Sequence, residues 1–488
     1  MSFKLSKSNY LSGLECPRYL WTNIKYPEKK RKETIAEEFD FKEGISVGEL
    51  AKQLYPKGIS IPFDDYLENI LKTKEFLNKN KALIEAGFEY DNCFARADFL
   101  VPNGKGWDIV EVKKGTRVKN RNIHDLSFQK YIFEKNGLEI KKCFLLHLNK
   151  KYVRSGELDI WNLFVKEDVS TEVDNEMKLV KERIDRIFEF ISSNEMPEPG
   201  YLLPKIVKKN SHDCFKEKCL ELPPNNVFCL YGSKKLVSLL FKAGIKTIKK
   251  VPEKYLLNDN QKIQRKCEIE GEPNINKEKI KEFLGELTYP YYYLDFETFS
   301  TAIPKFDGLN PYFKVPFQFS LHIDQGDKGE IKHFEYLYNG KDDPREEFLL
   351  ELQKVLGESG SIIVYYKSFE IGRLNELAER FPDHREWINN VILRIVDLRD
   401  PFRKFSYYHP EQQGSASLKA VFSAMTEMSY ETLEIRDGRT APVEFLKINY
   451  EECDELKKHK VRSDLLQYCK QDTFAQVKIH EKLRELVR

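Results

Sequence analysis

The stretch YYYLDFETFS, residues 291–300, constrains the fold of this chain more than any other segment. Its aromatic and apolar run predicts a buried β-strand, and alternation along a strand sends side chains two apart to the same face. Asp295 and Glu297 are therefore expected together near the end of that strand. Two such carboxylates either hold a metal ion or occur there by chance, so their interpretation depends on further acids elsewhere in the chain.

The length of the chain, 488 residues, predicts more than one hydrophobic core. We expect an α/β (α+β) multidomain protein with a first domain over 1–225, a helical connector and linker over 226–285, and a second domain over 286–488. A composition of 41% hydrophobic and 32% charged residues favours globular domains over extended disorder. Within the connector, the polar segment 256–279 is typical of a linker.

Further acids follow two other predicted elements of the second domain. Three predicted strands, then a helix and the strand SIIVYY, indicate a mixed sheet with helices packed on it. Glu370 comes just after that last strand, where a helix begins, and Asp472 comes four residues after Tyr468. Because a spacing of four places two side chains on one helix face, Tyr468 and Asp472 point the same way. The acids are thus expected to converge on one pocket.

This set resembles the DEDD superfamily of 3′ to 5′ exonucleases, which have a ribonuclease H-like fold. That superfamily carries Asp-x-Glu on its first strand, an acid after an aromatic residue, and Tyr-x-x-x-Asp. The matching residues here are Asp295, Glu297, Glu370, Asp472 and Tyr468. Tyr468 marks the tyrosine subclass, whereas Glu370 stands where the superfamily usually has Asp. The resemblance implies that the four acids bind two Mg²⁺ or Mn²⁺ ions and that Tyr468 orients the attacking water.

Two other features of the second domain accompany these motifs. Asp397 in RIVDLRD also follows an apolar run, and we predict that it caps a helix or supports the site instead of binding metal. The segment GSASLKAVF, 414–422, predicts a turn of small residues followed by a helix, as this type of fold carries before its last motif.

The segment FARADFLVPNGKGWDIVEVKKGT, 94–116, predicts two strands joined by a hairpin turn that contains glycine. Asp98 lies on the first strand, and Glu111 and Lys113 share one face of the second because they are two residues apart. This arrangement resembles the PD-(D/E)XK nuclease core in its RecB-like branch. The resemblance implies that Asp98 and Glu111 hold Mg²⁺ and that Lys113 positions the attacking water or helps to deprotonate it.

Two more residues of the first domain match that branch. Gln129, in FQKYIF, lies on the following predicted helix, where RecB-like nucleases carry a Gln motif. The tyrosine of the motif differs in spacing, since Tyr131 is only two residues away. Glu49, in EGISVGELA, lies on an earlier predicted helix, where many such nucleases place an acid or a histidine. The resemblance therefore implies Gln129 as a catalytic residue and Glu49 as a further metal ligand.

A nucleic-acid partner gives no whole-chain signal, because the net charge is only +2. The signal is local: KKGTRVKNR, 113–121, holds five Lys or Arg in nine positions. It is either an ordinary solvated face or a phosphate-contacting segment, in which case the contacts come from Lys114, Arg117, Lys119 and Arg121.

The connector has its own basic stretch, KAGIKTIKK, 242–250. It overlaps LVSLLFKAGIKTIKKVPEKY, 236–255, whose helix, glycine turn and helix rhythm is typical of a helix-hairpin-helix that offers backbone amides to phosphate. Only Gly244 of the glycine signature is clear, so a small connecting helical bundle is the alternative.

The segment SGLECPRYLW, 12–21, resembles the start of the CRISPR-associated and AddB-type nucleases. In those relatives the early cysteine joins three later ones around a [4Fe–4S] cluster, which implies Cys16, Cys214, Cys219 and Cys229 as the ligands here. Zn²⁺ at the same ligands, His212 as a replacement ligand, and plain buried thiols remain alternatives. The other cysteines are predicted to be structural: Cys93, Cys143, Cys267, Cys453 and Cys469.

Taken along its whole length, the chain resembles a largely uncharacterised prokaryotic family that fuses a RecB-like nuclease to a ribonuclease H-like exonuclease. The resemblance implies two metal-dependent, exonucleolytic sites that act on DNA in preference to RNA, in repair or defence. One alternative is that only the C-terminal exonuclease is active, on DNA or RNA. The other is a catalytically inactive scaffold that binds nucleic acid.

The chain carries no signal for a membrane. Its first residues, MSFKLSKSNYL, lack the apolar core of a secretory signal. We find no run of about 18 apolar residues that could form a membrane span. We therefore expect a cytosolic location and no membrane partner, and the sequence predicts no particular protein partner.

Overall fold

The structure is a computed structural model of the chain. It describes residues 3–63, 65–197, 222–232, 234–255, 258–326 and 329–488.

The chain is a multidomain, mixed α/β protein, as the sequence predicted. It divides into unit 1, which comprises Met1–Glu221 and Thr301–Phe313, and unit 2, which comprises Leu222–Ser300 and Lys314–Arg488. The division differs from the predicted boundaries in two respects, because the connector over 226–285 belongs to unit 2 and residues 301–313 belong to unit 1.

The segment 301–313 is held in unit 1 by backbone groups and by packing. Arg154 donates from Nη1 to the carbonyl of Lys305 at 2.8 Å, and the Tyr312 hydroxyl donates to the carbonyl of Lys114 at 2.9 Å. Ala302 is buried in the same apolar cluster as Val47. These residues connect two strands of unit 2, Tyr291–Phe299 and Val315–Asp324, and have no helical or strand periodicity. The sequence therefore does not reveal that they belong to unit 1.

Unit 1 is built on a seven-stranded mixed sheet. Its strands are β1 (Leu5–Ser6), β2 (Ile59–Ser60), β3 (Leu83–Tyr90), β4 (Cys93–Asn103), β5 (Gly106–Lys113), β6 (Ile140–Leu148) and β7 (Phe164–Asp168). The order is β2-β3-β4-β5-β6-β7, with β1 paired to β4. β4 and β5 form the predicted antiparallel hairpin, which turns at Gly104 with a φ of +62°. β5 and β6 are parallel.

The helices of unit 1 cover this sheet. They are Lys7–Glu15, Pro17–Lys25, Ile35–Lys52, Tyr66–Phe76, Asn120–Lys135, Ile160–Leu163, Ser170–Met177 and Val180–Ser192. The helix Asn120–Lys135 lies against β3, β4 and β6 and buries Phe128 and Phe133. Phe133 meets Phe88 of β3 with ring centroids 4.8 Å apart. This packing fixes the polar residues of the helix relative to β5.

Unit 2 is built on a five-stranded sheet, which is mixed as predicted. Its strands are β9 (Tyr291–Phe299), β10 (Val315–Asp324), β11 (Lys332–Leu337), β12 (Ser361–Val364) and β13 (Ile395–Asp397), and a separate pair is formed by β8 (Asn274–Ile275) and β14 (Tyr407–Tyr408). The order is β11-β10-β9-β12-β13. The pairs β11–β10 and β10–β9 are antiparallel, while β9–β12 and β12–β13 are parallel. β9 is therefore central.

Helices flank the sheet of unit 2 as well. They are Lys234–Lys242, Asp259–Glu270, Lys277–Gly285, Arg345–Val355, Ser368–Arg380, Arg385–Leu393, Asp400–Arg403, Leu418–Thr426, Thr440–Tyr450 and Glu455–Val487. The last of these, hereafter the C-terminal helix, lies along β9, β10 and β11. Gln318 of β10 donates to the carbonyl of Leu465 at 2.8 Å, and Gln476 donates to the carbonyl of Leu294 at 3.2 Å. These bonds fix the register between helix and sheet.

The connector differs from its predicted structure. After the helix Lys234–Lys242 and Gly244, residues 245–255 hold only the short 3-10 turns Ile248–Lys250 and Glu253–Tyr255, so the second helix of a helix-hairpin-helix is absent from this described stretch. The polar segment predicted to be a linker contains the helix Asp259–Glu270. Its polarity is misleading because the buried Gln264 accepts a 2.6 Å hydrogen bond from the backbone N–H of Tyr231.

Within the described part of the chain, we find no helix with the length and apolar character needed to cross a membrane.

Candidate functional sites

The two carboxylates of β9 meet a third from the C-terminal helix. Ligand oxygens of Asp295, Glu297 and Asp472 lie within 4.8 Å of one another. Glu297 and Asp472 are buried and Asp295 is half-buried. Alternation along β9 and the fixed register of the C-terminal helix bring the three groups together, which makes this cluster the candidate metal site of unit 2.

Glu370 adjoins this cluster without belonging to its closest set. It lies in the first turn of the helix Ser368–Arg380, directly after β12, and is only 1% exposed. Burial raises the pKa of Glu370 well above its ordinary value, and the charge of Asp295 adds to the shift. Its Oε2 atom has no hydrogen-bond partner among the described residues. A buried carboxylate oxygen without a partner is costly unless a proton or a metal cation neutralises the group.

The carboxyl groups of the cluster are strongly perturbed. Burial raises the pKa of Asp295 well above its usual value, with the charge of Asp472 as the next contribution. Burial likewise raises the pKa of Glu297, and Asp295 adds to it. Burial raises the pKa of Asp472 to about 6, although the Tyr430 hydroxyl opposes the shift. Where the structure describes the chain, Asp295, Glu297 and Glu370 form no ion pair.

Two tyrosine hydroxyls surround Asp472. Tyr430 donates to Oδ1 of Asp472 at 2.6 Å, and the predicted Tyr468, only 4% exposed, lies close enough to lower the pKa of this carboxylate. Burial raises the pKa of both tyrosines far above the usual value, and the charge of Asp472 raises it further. Both hydroxyls therefore remain protonated, and that of Tyr430 donates to Asp472.

Lys419 completes the surroundings of the cluster. Its Nζ lies 4.7 Å from the ring centroid of Tyr430 and 4.9 Å from that of Tyr468. Burial lowers the pKa of Lys419 below its ordinary value, and the nearby carboxylates, Asp472 foremost, offset this only in part. Sequence reasoning named neither Lys419 nor Tyr430 as a site residue. A lone cation inside the small-residue segment 414–422 was the available signal for Lys419, whereas Tyr430 belongs to no motif.

Asp397 holds the turn that leads into the helix carrying Glu370. Its Oδ1 accepts from the backbone N–H of Tyr366 at 2.9 Å, and its Oδ2 accepts from that of Lys367 at 3.2 Å. A third backbone N–H, from Arg399, donates to Oδ1 at 3.0 Å. Asp397 thereby orders the residues directly before the helix Ser368–Arg380, which supports the position of Glu370 without capping the helix.

The donor set of this cluster fits a hard divalent cation. All of the candidate ligands are carboxylate oxygens, which Mg²⁺ and Mn²⁺ prefer over nitrogen or sulfur. The partnerless oxygen of Glu370 and the raised pKa values both indicate charges that lack a counterion. The residues that would hold such ions are Asp295, Glu297, Glu370 and Asp472.

A second constellation lies in unit 1, around Glu111 of β5. Glu111 is 1% exposed and accepts hydrogen bonds from Lys113 and from Lys7, the latter at 2.7 Å. Its other oxygen accepts from Nε2 of Gln129 at 2.8 Å. On the neighbouring β4, Asp98 accepts from the backbone N–H of Val112 at 2.6 Å. The predicted residues Asp98, Glu111, Lys113 and Gln129 therefore surround one point of the sheet.

The two acids of this constellation are perturbed in opposite directions. Burial raises the pKa of Asp98 to about 7, and the charge of Glu111 contributes next. Burial alone would raise the pKa of Glu111, but the charges of Lys113 and Lys7 outweigh burial and hold this pKa well below its usual range. Burial alone would lower the pKa of Lys113, yet Glu111 and Asp125 raise it well above the ordinary value. Lys113 is therefore a cation in this structure.

Two residues of the constellation were not predicted, Asp125 and Lys7. Asp125, 1% exposed, accepts from Lys113 at 2.8 Å and from Gln129 at 2.9 Å. Its position four residues before Gln129 places both on one helix face, which was an available signal. Lys7 lies on the first helix and has no motif that connects it to Glu111.

Unit 1 has a cleft of about 850 Å³ over this constellation. Asp98, Glu111 and Lys113 line it, and Glu49 lines the same cleft from the helix Ile35–Lys52. The Glu49 side chain is 62% exposed and pairs with Lys52 at 2.6 Å. Within the described residues, the structure does not gather Glu49, Asp98 and Glu111 into a group with ligand atoms inside 4.8 Å.

The predicted basic residues line an adjoining groove of about 340 Å³. The basic residues of this groove are Lys7, Lys113, Lys114, Arg117, Lys119 and Arg121, and its one acid is Asp125. Lys114 pairs with Asp40, and Arg121 pairs with Glu15. Arg117 and Lys119 are exposed and form no ion pair with any described residue. The groove is therefore electropositive beside the cleft.

The predicted cysteine cluster stays a prediction. Cys214, Cys219 and the alternative ligand His212 lie outside the described residues. Cys16 is 2% exposed and belongs to unit 1, where its Sγ accepts from the N–H of Tyr19 at 3.2 Å and caps the helix Pro17–Lys25. Cys229 ends the 3-10 turn Val227–Cys229 of unit 2.

Residues 292–417 match the profile of a family described as a domain of unknown function, DUF2779. The matched region includes Glu297 and Glu370 and ends before Asp472.

Three curated relatives share part of the chain, and each is described as uncharacterised. Protein UU173 of Ureaplasma parvum is 26% identical over 215 residues, which are 40% of this chain and 31% of that protein. The MG366 homolog of Mycoplasma pneumoniae is 25% identical over 228 residues, and MG366 of Mycoplasma genitalium is 24% identical over 232 residues. Each of these two matches covers 43% of this chain and 34% of the relative. The chain thus spans about a third of the length of the curated relatives it matches.

Proposed function

We propose that the protein is a metal-dependent nuclease with one phosphodiesterase site in each unit, and that DNA is its favoured substrate. The observation that carries this proposal is the cluster of Asp295, Glu297 and Asp472, whose ligand oxygens lie within 4.8 Å, beside the partnerless oxygen of Glu370. Buried acids that lack counterions are best explained by a cation that neutralises them. The uncharacterised relatives add no activity to this inference.

The site of unit 2 is proposed to be the exonuclease site of a ribonuclease H-like domain. Its support is the order β11-β10-β9-β12-β13, with Asp295 and Glu297 within the central strand β9 and Asp472 on the C-terminal helix. Bound Mg²⁺ or Mn²⁺ would supply charge that activates water and stabilises the leaving oxygen. Tyr468 would hold the attacking water through its hydroxyl, and Tyr430 would keep Asp472 in one orientation.

The site of unit 1 is proposed to be a RecB-like nuclease site. Asp98 and Glu111 are its candidate metal ligands, and Lys113 carries the positive charge beside them. Lys113 would orient the scissile phosphate or the attacking water through its ammonium group. The electropositive groove of Arg117 and Lys119 would hold the phosphates of the same strand.

A second candidate function has only the site of unit 2 active, on DNA or RNA. One observation favours it: Glu111 already accepts hydrogen bonds from Lys7, Lys113 and Gln129, whereas Glu370 keeps an oxygen without a partner among the described residues. A metal ion in unit 1 would have to compete with two ammonium groups for Glu111.

The test is degradation of end-labelled single- and double-stranded DNA and RNA in Mn²⁺, with wild type, Asp295→Asn and Glu111→Gln. Each variant has a matched control, an exposed acid of the same unit: Glu278→Gln for unit 2 and Glu182→Gln for unit 1. If both sites cleave, each site variant removes its own set of products and the controls resemble wild type. If only Asp295→Asn has an effect, the second candidate function is correct.

A wild-type protein that is inert on every substrate contradicts both enzyme proposals. Binding of the same oligonucleotides, measured with and without Mn²⁺, then identifies the scaffold alternative, because a scaffold keeps its affinity without metal.

We also propose a [4Fe–4S] cluster or Zn²⁺ at Cys16, Cys214, Cys219 and Cys229. Anaerobic purification with iron and zinc analysis tests this directly, and protein that contains neither metal contradicts it.

A further inference from the structure

One wall of the cleft in unit 1 is apolar and exposed. The helix Ile35–Lys52 lines the cleft with Phe41, which is 68% exposed, and Ile45, which is 51% exposed. Large apolar side chains left open in a concave surface mark binding sites, because burying them on a ligand is favourable. Neither residue is used by the proposed chemistry, so the wall requires its own explanation.

The same wall leaves room at two glycines. Gly44 and Gly48 line the cleft beside Phe41 and Ile45. A Cβ added at Gly48 would meet nothing within 4 Å, and one at Gly44 would only touch Cδ of Lys114 at 4.0 Å. A flat group could therefore lie against the helix backbone next to the Phe41 ring.

A hydrogen bond and an ion pair connect this wall to the end of β5, the strand that carries Glu111 and Lys113. Nζ of Lys114 donates to the backbone carbonyl of Asp40 at 2.6 Å and also pairs with its carboxylate. Asp40 immediately precedes Phe41, and Lys114 immediately follows Lys113. The contact places the apolar wall beside the point where Lys113 meets Glu111.

The charges of the adjoining groove select the kind of ligand. The cleft itself is lined by carboxylates as well as basic side chains, and Asp40 directly precedes Phe41, whereas the electropositive groove has one acid. The two surfaces share Lys7, Lys113, Lys114 and Arg121. An occupant of both surfaces must bring flat apolar groups to Phe41 and negative charges to the basic side chains. A nucleic-acid strand with its bases turned outwards has both features, since its bases stack on aromatic rings and its phosphates bind Lys and Arg.

We propose that Phe41 and Ile45 form a stacking platform for unpaired nucleobases, so that unit 1 takes the single-stranded end of its nucleic acid. In a duplex the bases are already stacked and paired, and they cannot reach a ring on the wall of a cleft. The proposal rests on the proposed function of unit 1 for the position of the scissile phosphate, but the binding platform can be tested without cleavage.

The experiment measures binding of a fluorescent 12-nucleotide thymidine oligomer by anisotropy, in EDTA, with the full-length chain. Alanine substitution of a stacking residue loses about 1–3 kcal/mol per base, so Phe41→Ala is expected to weaken binding about five- to hundred-fold. Phe41→Trp should keep the affinity. The control is Trp161→Ala, because Trp161 is 73% exposed in the same unit and does not line the cleft.

Two further ligands separate stacking from other contributions. An abasic 12-mer retains the phosphates and should bind Phe41→Ala and wild type equally, and a blunt duplex hairpin should show no difference either. An equal loss of affinity for the abasic or the duplex ligand would overturn the platform. So would unchanged binding of the thymidine oligomer to Phe41→Ala, or no binding to wild type.

A second copy of the chain is the other occupant to test. Light scattering of wild type and Phe41→Ala decides this, because a substitution that only changes the oligomeric state would make the wall a self-association surface and overturn the proposal. Failure of the proposed function is distinguishable: wild type that binds the oligomer through Phe41 yet never cleaves it keeps the platform and refutes the nuclease. If Phe41→Ala binds and cleaves the oligomer normally, the platform is refuted and the nuclease proposal stands.

Discussion

The hydroxyl of Tyr430 donates a 2.6 Å hydrogen bond to Oδ1 of Asp472, although the two residues are 42 positions apart. Both residues are buried, so water cannot replace this bond. The bond stabilises the ionised carboxylate and opposes the effect of burial on the pKa of Asp472. Tyr430 is thus a positioning residue for the carboxylate that we propose as a metal ligand.

We predict that Tyr430→Phe weakens Mn²⁺ binding at unit 2 and slows its cleavage about ten- to hundred-fold, because a hydrogen bond to a charged group contributes about 1.5–3 kcal/mol. Titration calorimetry with Mn²⁺ measures the affinity, and the labelled-substrate assay measures the rate. Tyr365→Phe is the control, since it removes a hydroxyl that donates only to the backbone carbonyl of Ala416, at 3.0 Å. Equal effects of the two substitutions would contradict a role through Asp472.

The second prediction concerns the stability of the metal-free protein. Asp472 has an ordinary pKa of 3.8 and a folded-state pKa of about 6. Between these pH values the folded state keeps a proton that the unfolded state has lost, so the free energy of unfolding falls as pH rises and levels off above 6. The shift corresponds to about 3 kcal/mol.

Asp472→Asn removes this titration, so it should stabilise the metal-free protein relative to wild type by about 3 kcal/mol more at pH 8 than at pH 4. Urea unfolding in EDTA at both pH values measures this difference. Mg²⁺ added at pH 8 should stabilise wild type more than the variant, because the variant has lost one ligand of unit 2 but keeps the proposed site of unit 1. A difference between variant and wild type that stays constant with pH would contradict the prediction.

The sequence predicted those parts of the structure that depend on strand alternation and helix spacing. The hairpin of β4 and β5 and the mixed sheet around β9 follow from local apolar patterns. The same patterns bring Asp295 and Glu297 to one side of β9 and put Tyr468 and Asp472 on one helix face.

Residues that reach a site from elsewhere in the chain could not be predicted in this way. Lys7 meets Glu111 across 104 positions, and Tyr430 lies in a loop between two helices. The helix Asp259–Glu270 was missed because two of its three buried side chains are glutamines, Gln261 and Gln264, which bond to backbone groups. Such contacts depend on tertiary packing, which leaves no period in the sequence.

Lys7 gives the third prediction. Its Nζ lies 2.7 Å from Glu111 and 3.6 Å from Asp125, so it balances charge in the centre of the unit 1 constellation. Lys7→Met should reduce the products of unit 1 at least about tenfold, because a buried carboxylate loses one of its charged partners. Products of unit 2 should not change. The control is Lys4→Met, because Lys4 lies on the same short N-terminal segment as Lys7 but pairs with Glu89. Equal losses in both variants would indicate a general loss of stability.

Gly414 gives the fourth prediction, because it combines a left-handed backbone with a close approach. Its φ is +75°, and a Cβ there would lie 1.9 Å from the carbonyl oxygen of Cys229. Gly271 has a φ of +74° but open space around it. Gly271→Ala should therefore lose only the stability that a left-handed backbone costs an L-residue, about 1–2 kcal/mol.

Gly414→Ala should therefore destabilise unit 2 clearly more than Gly271→Ala, because the carbonyl of Cys229 must also move. Gly414 precedes the helix Leu418–Thr426 that carries Lys419, so the variant should also slow cleavage by unit 2, whereas Gly271→Ala should not. Urea unfolding followed by circular dichroism and the labelled-substrate assay measure the two effects. If both variants lose the same stability, the clash is relieved at no cost and the segment is not fixed by its contact with Cys229.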